Sequence, residues 1–210
     1  MSTTRAKLLQ GTLDTLRAHG LSGTSARSIA ATAGVNQALI FYHFGTLDEL
    51  LAAACTYGTE QHVAHYRDRF AGVATMADLL ALSRTIRDEQ HGDLVVLGHM
   101  LAGAQTEPAL ARATAAGLAL WAAEIEDVLT RVLGSTPLAG SLDVPGLARA
   151  VAAAFIGLEL YAGVDAEGTG RAFDALDQLG ALFGLLEKMG PLTQRAVRHQ
   201  LRRPRGEARA

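Results

Sequence analysis

From Leu110 to Val132 an apolar side chain returns every three or four positions, at Leu110, Leu118, Trp121, Ile125, Val128 and Val132, with Thr114 on the same row. Only a helix of 3.6 residues per turn gathers such a set on one face. Pro108 stands where a first-turn proline is tolerated, and Gly134 with Pro137 marks the end. The same period recurs along the chain. Leu9, Leu13 and Leu16 define a helix between Thr4 and Gly20, and Thr46 with Glu49 forms a T-x-x-E capping box that starts another, running to about Phe70. Leu147, Val151, Ala154, Phe155, Leu158 and Tyr161 mark a helix closed by Gly163. Phe173, Leu176, Leu179, Phe183 and Leu186 mark one closed by Gly190 and Pro191. The stretch from Ala74 to Ala104 reads as two shorter helices broken near His91-Gly92. No segment alternates at period two. Aromatics are only 5% of the residues, and Ala and Leu far outnumber β-branched residues, a bias that disfavours sheets. The chain is predicted to be all-α.

Two helices, about 144–162 and 171–189, are apolar on more than one face, with Ala152, Ala153, Gly157 and Ala162, then Ala175, Gly180, Ala181 and Gly184, among the large residues. A helix apolar nearly all round requires burial on both sides. Pairing with the same helices of a second subunit supplies it, so a homodimer through these helices is the expectation; internal helices of a monomer are the alternative.

Charge is unevenly spread over a chain of net −2. Residues 1–50 carry four basic and three acidic side chains, net +1; residues 51–187 carry eight and seventeen, net −9; residues 188–210 carry seven and one, net +6. The tail arginines Arg195, Arg198, Arg202, Arg203, Arg205 and Arg209 suit DNA phosphates, an acidic surface, or plain solvation. The one cysteine, Cys55, excludes an intrachain disulfide and reads as a buried, inert thiol. His62 and His65, with Glu60 or His99, make too weak a pattern for a metal site. The glycines from Gly163 to Gly170 lack the strand-loop-helix setting of a phosphate cradle, and no catalytic constellation stands out. The expectation is therefore no enzyme, no metal and no cofactor. No stretch approaches the ~20 apolar residues of a membrane span, and the expected location is cytoplasmic.

Residues 25–44 hold the most specific pattern. Ser25 caps a short helix whose inner face is Ile29, Ala30 and Ala33. Gly34 turns the chain, Val35 plugs the core, and Asn36 caps a second short helix carrying Ile40 and Phe44 inward. Two short helices about a glycine turn have the shape of a helix-turn-helix, whose second helix enters the DNA major groove.

The run Ile29-Ala30-x-x-Ala33-Gly34-Val35, then Ile40-Phe41-Tyr42-His43-Phe44, a short linker and an acidic amphipathic helix, resembles the DNA-binding domain of the TetR-type transcriptional regulators over roughly Arg5 to Ala54. The resemblance implies a helix-turn-helix DNA-binding domain at 1–48, a helical effector-binding and dimerisation domain at 49–190, and the basic tail at 191–210. It implies a homodimeric repressor on a double-stranded operator with inverted half-sites, released by a small molecule. Gln37, Ala38 and Leu39 then read base edges, while Ser25, Arg27, Tyr42, His43 and Thr46 hold phosphates. Tyr66, Leu97, Met100, Trp121, Phe155 and Glu159 are the candidate effector contacts. Two positions depart from the family pattern: Phe41 replaces a common Tyr, and Leu47 a usual Lys. A helical ligand-binding or catalytic protein with a vestigial DNA-binding domain, or an effector-independent regulator, are the other readings. With a reading domain of net +1, operator binding should depend shallowly on salt. A steep log–log slope that survives deletion of residues 191–210 would contradict this.

Overall fold

The computed structural model describes residues 3–190, 192–193 and 195–197; the tail arginines from Arg198 onward, and Pro191, lie outside the described residues. Among the described residues there are eight named helices and no strand: α1 (Thr3–His19), α2 (Ala26–Ala33), α3 (Ala38–Phe44), α4 (Leu47–Gly72), α5 (Met76–Gly103), α6 (Pro108–Gly134), α7 (Val144–Ala162) and α8 (Ala166–Glu187). The all-α expectation holds, and the apolar period places α1, α4, α6 and α7 to within a residue or two.

Three expectations need correction. The stretch 74–104 is one continuous helix, α5, rather than two. Gly92 costs about 1 kcal/mol against Ala in a helix interior. That is little beside the burial of Leu79, Leu82 and Ile86 before it and Val96 and Met100 after it. The helix of Phe173 starts at Ala166, five residues earlier than read from sequence, because the Asp165 carboxylate accepts from the Gly168 amide at 2.8 Å and caps it. Third, α7 is long and apolar enough, by length and composition, to cross a bilayer. It carries Arg149 and Glu159, however, and each charge at a bilayer centre costs about 2.5–3.5 kcal/mol on the insertion scale. Such length and composition are weak grounds for a span, since core helices share them.

The chain divides into two compact units. Among the described residues, the first comprises those up to Arg67 with Ile86–Trp121, and the second comprises Asp68–Thr85 with those from Ala122 onward. In the first, Leu8, Leu9 and Leu13 of α1 pack with Ile29 and Ala30 of α2, Ile40 and Phe44 of α3, and Leu50 and Ala54 of α4. A neighbouring cluster joins Leu16 and Leu51 to Cys55, Val96, Met100 and Leu110. Leu47 packs against both clusters. The leucine found where the resembled family usually has lysine is thus an apolar link between two cores.

In the second unit α7 packs on α8. Asp143 caps α7 by accepting from the Gly146 amide at 3.0 Å. Phe173 is buried beneath the Arg84 guanidinium, 5.5 Å from its ring centre, and Arg84 also pairs with Asp174 and Asp177. Arg131 donates at 2.7 Å to the Phe70 carbonyl, which near the end of α4 also accepts from the Val73 amide at 3.2 Å.

Helices α1 and α2 approach each other closely. A Cβ added at Gly11 would lie 2.7 Å from Ala33 Cβ and 3.0 Å from the Ala33 backbone. Here the hydrogen side chain sets the distance between the helices, and Thr15 completes the seam by meeting the Thr32 hydroxyl at 3.1 Å. Gly11→Ala gains about 1 kcal/mol of helix propensity but must push α2 away, an overpacking cost of about 1–3 kcal/mol or more. The expected outcome is a net loss of stability, read as a lower urea midpoint with an unchanged slope. A variant as stable as the parent would show that the seam gives way freely.

Candidate nucleic-acid interface

The helix-turn-helix is built from short-range hydrogen bonds. The Ser25 hydroxyl accepts from the Ser28 amide at 3.1 Å, and Ser28 Oγ accepts from the Ser25 amide at 2.9 Å, a reciprocal capping box at the start of α2. Gly34 ends α2 at φ +64°, a left-handed conformation that disfavours any Cβ, and the Val35 amide returns to the Ala30 carbonyl. Asn36 Oδ1 then accepts from the Ala38 amide at 2.8 Å, so the cap read from sequence is present and helical geometry begins at Gln37. At the start of α4, Thr46 Oγ1 accepts from the Glu49 amide at 3.1 Å, and Glu49 accepts from the Thr46 amide at 3.2 Å.

With Ile40 and Phe44 inward, α3 turns Gln37, Ala38 and Tyr42 outward, and Tyr42 is 80% exposed. Ser25, Arg27 and Thr46 are exposed as well. Leu39 and His43 differ. Leu39 is half-buried against the core, and the half-buried His43 ring meets Tyr42 and Phe44 edge-on at 4.9 and 6.4 Å. The surface therefore offers an amide, a methyl, a phenol, hydroxyls and a guanidinium beside two capped helix starts. That is the chemistry of hydrogen-bonded contact with base edges and phosphates.

Sequence reasoning passed over Arg5. Its guanidinium lies over the Phe44 ring, 4.3 Å from the centroid, and donates to the His43 carbonyl at 3.2 Å. No local pattern signals a contact between residues 38 apart. A second tie was also missed: Asp93 of α5 accepts from Arg17 of α1 and lies 3.1 Å from His62 of α4, while Arg17 also meets Asp14 at 2.7 Å. One turn along, His65 faces Glu89 at 3.9 Å, and the Tyr66 hydroxyl donates to Glu89 at 2.8 Å. Both histidines named as weak metal candidates thus face carboxylates of α5, and no group of metal-binding side chains occurs among the described residues.

The candidate effector residues divide between the two units. In the first, the fully buried Tyr66 ring stands 6.1 Å from the half-buried Trp121, Leu97 is half-buried, and Met100 sits in the core with Cys55. Burial pushes the Cys55 thiol up, so the thiolate a redox switch requires is disfavoured. In the second unit Phe155 is half-buried and Glu159 is 5% exposed.

A short exposed helix, capped and held on an α-helical core after a left-handed glycine turn, has the shape of a helix-turn-helix. Residues 8–54 match the family of bacterial regulatory proteins of tetR type. An HTH-type transcriptional repressor of Mycobacterium tuberculosis is 46% identical over 48 residues, which are 23% of this chain and 26% of that protein. The chain therefore spans about a quarter of the length of that curated relative. A solved structure from Rhodococcus sp., described as a TetR-family transcriptional regulator, is 26% identical with a TM-score of 0.69, covering 89% of this chain and all of its own. The multidrug binding protein EbrR, solved with imidazole, is similar in fold: 23% identical, TM-score 0.59, 84% of this chain and 96% of its own. Over residues 8–54 the chain is thus similar to the tetR family of bacterial regulatory proteins, and over most of its length it is similar in fold to that Rhodococcus structure.

The Asp93 cluster yields a test of pH dependence. Burial raises the Asp93 carboxyl, but hydrogen bonds and charge from His62 and Arg17 outweigh it and hold the group below its ordinary value. A carboxyl depressed on folding contributes stability above its unfolded value, about 4. The contribution disappears as pH falls through the lower folded value. Asp93→Asn should therefore destabilise by on the order of 1 kcal/mol at pH 7, the pair being partly exposed. The gap to the parent should narrow progressively as pH falls below about 4 in urea titrations. A gap that stays constant with pH would refute the assignment.

Proposed function

We propose that the chain is a homodimeric repressor that reads an operator of two inverted half-sites through α3 and releases it on binding a small molecule. The observation that carries this reading is the exposure of Gln37, Ala38 and Tyr42 on a helix whose other face is locked into the α1–α2–α4 core. Gln37 suits a bidentate contact with adenine, and Ala38 suits a thymine methyl. Leu39, half-buried, reaches a base only at its outer edge. Tyr42, Ser25, Arg27 and Thr46 serve phosphates, with His43 supporting the helix from its half-buried position. Residues 1–48 form the reading head and 49–190 the regulatory body, acting in the cytoplasm.

Dimerisation through α7 and α8 is supported by the large apolar residues that these helices leave exposed: Leu160, Tyr161, Leu179, Leu182 and Leu185, with Leu182 58% exposed. Five large apolar side chains left exposed on two packed helices suit a four-helix interface with a second copy. For the effector, Tyr66 and Trp121 with Leu97 and Met100 offer aromatic and apolar contacts in the first unit, and Phe155 with Glu159 offers a ring and a carboxylate in the second. The similarity in fold to a multidrug binding protein supports an organic effector.

Gln37→Ala and Tyr42→Ala should each weaken binding to a library-selected operator by about 10–100-fold, that is 1–3 kcal/mol. Their thermal unfolding should match the parent. Leu182→Glu should shift the chain to monomer in sedimentation and abolish tight binding to paired half-sites. Retained sequence-specific binding in the double variant Gln37→Ala/Tyr42→Ala would reject the assignment of α3 as the reader.

A further inference from the structure

We infer that Arg5 is the positioning residue of the reading helix: seated on Phe44 and bonded to the His43 carbonyl, it fixes the C-terminal end of α3 against α1 and thereby sets how Gln37 and Tyr42 are presented. The inference rests on the DNA-binding reading above and adds a residue on a different helix to it.

A seven-residue helix is too short to persist by itself, because nucleation is unfavourable and few internal bonds follow. Its orientation must come from outside. At the N-terminal end Asn36 supplies a cap. In the middle Ile40 is fully buried. At the C-terminal end the carbonyls point away from the helix with no intrahelical donor, and there the guanidinium of Arg5 arrives. It does two things at once. Its Cζ lies over the Phe44 ring, a cation–π contact, and an N–H meets the carbonyl of the preceding residue. A positive charge at this end also complements the helix dipole. Phe44 is 8% exposed and belongs to the core that joins α1, α2, α3 and α4, so the pin transmits the position of α1 to α3. Because α1 is itself set against α2 by the Gly11–Ala33 approach, the two halves of the helix-turn-helix share one reference.

The alternative role for an arginine in such a domain is direct contact with phosphate, and the two roles separate experimentally. The full chain and its Arg5→Ala, Arg5→Lys and Lys7→Ala variants would be titrated against a duplex recovered by the parent from a random library, and against single-base variants of that duplex. Lys7 is an exposed cation on the same helix and controls for charge alone. A positioning role requires that Arg5→Ala lose at least tenfold in affinity and discriminate less between the duplex and its variants, with an unchanged salt slope. Lys7→Ala should lose less than threefold. Arg5→Lys should not restore binding, since an ammonium keeps the charge without a flat guanidinium that stacks and donates together. Amide exchange of the free protein should be faster in α3 for Arg5→Ala, with α6 unchanged.

Rescue by Arg5→Lys together with a salt slope lowered by about 0.9 in Arg5→Ala would make Arg5 a phosphate ligand and overturn the inference. Exchange raised evenly over all helices would reduce it to general stability and overturn it as well. Selection of a duplex by the parent with unchanged α3 exchange in Arg5→Ala would sink Arg5 alone. Failure of the parent to select any duplex would sink the DNA-binding reading, and the recognition role of Arg5 with it.

Discussion

A helix of seven residues has to borrow its stability, and the candidate reading surface stands on one. The burial of Ile40 and Phe44 among Leu8, Leu9 and Leu13 of α1, Ile29 of α2 and Leu50 of α4 supplies what α3 cannot supply internally. That core in turn depends on how closely α1 and α2 approach, which Gly11 permits and Ala33 limits. The outward direction of Gln37 and Tyr42 follows from the inward direction of Ile40 and Phe44, because positions on one helix cannot move independently. Packing and presentation are thus one constraint.

Polar bonds then orient what apolar burial only holds. Hydrophobic contact is non-directional and tolerates small rotations. Caps at Ser25, Asn36 and Thr46 define where each helix begins, and Arg5 reaches across to the end of α3. The Asp93 cluster performs the same service between α1, α4 and α5, with one carboxylate meeting a guanidinium and an imidazole. The low charge of the first fifty residues fits this construction. With so few cations, the proposed affinity for DNA would rest on well-placed neutral donors, helix ends and the avidity of the proposed dimer. Leu47 illustrates the exchange: a residue type suited to a phosphate is replaced by one that joins two cores.

The second unit follows the same physics with a different outcome. Its helices α7 and α8 bury one face against each other. They leave leucines and a tyrosine outward, the surface of the proposed dimer interface. The apolar excess evident along both helices therefore reappears as exposed side chains.

What the amino-acid order determined alone was local. Apolar period, capping residues and the Gly34 turn act within five residues, so the helices, their polarity and the helix-turn-helix are legible in the chain itself, as is the surplus apolar surface of the last two helices. The tertiary structure decided whatever depends on residues far apart. Whether Gly92 would break α5 turned on the burial of both flanks, which no window around His91-Gly92 contains. The aim of Arg5 at a carbonyl 38 residues away, and of Arg17 at a carboxylate 76 residues away, has no signature in spacing. Leu39 and His43, which the family resemblance places among the DNA contacts, are half-buried, because the neighbouring helices, not the period, set how much of each side chain is covered. Short-range hydrogen bonds and periodicity are written in the chain, whereas side-chain contacts between helices exist only once the packing angles and distances are chosen.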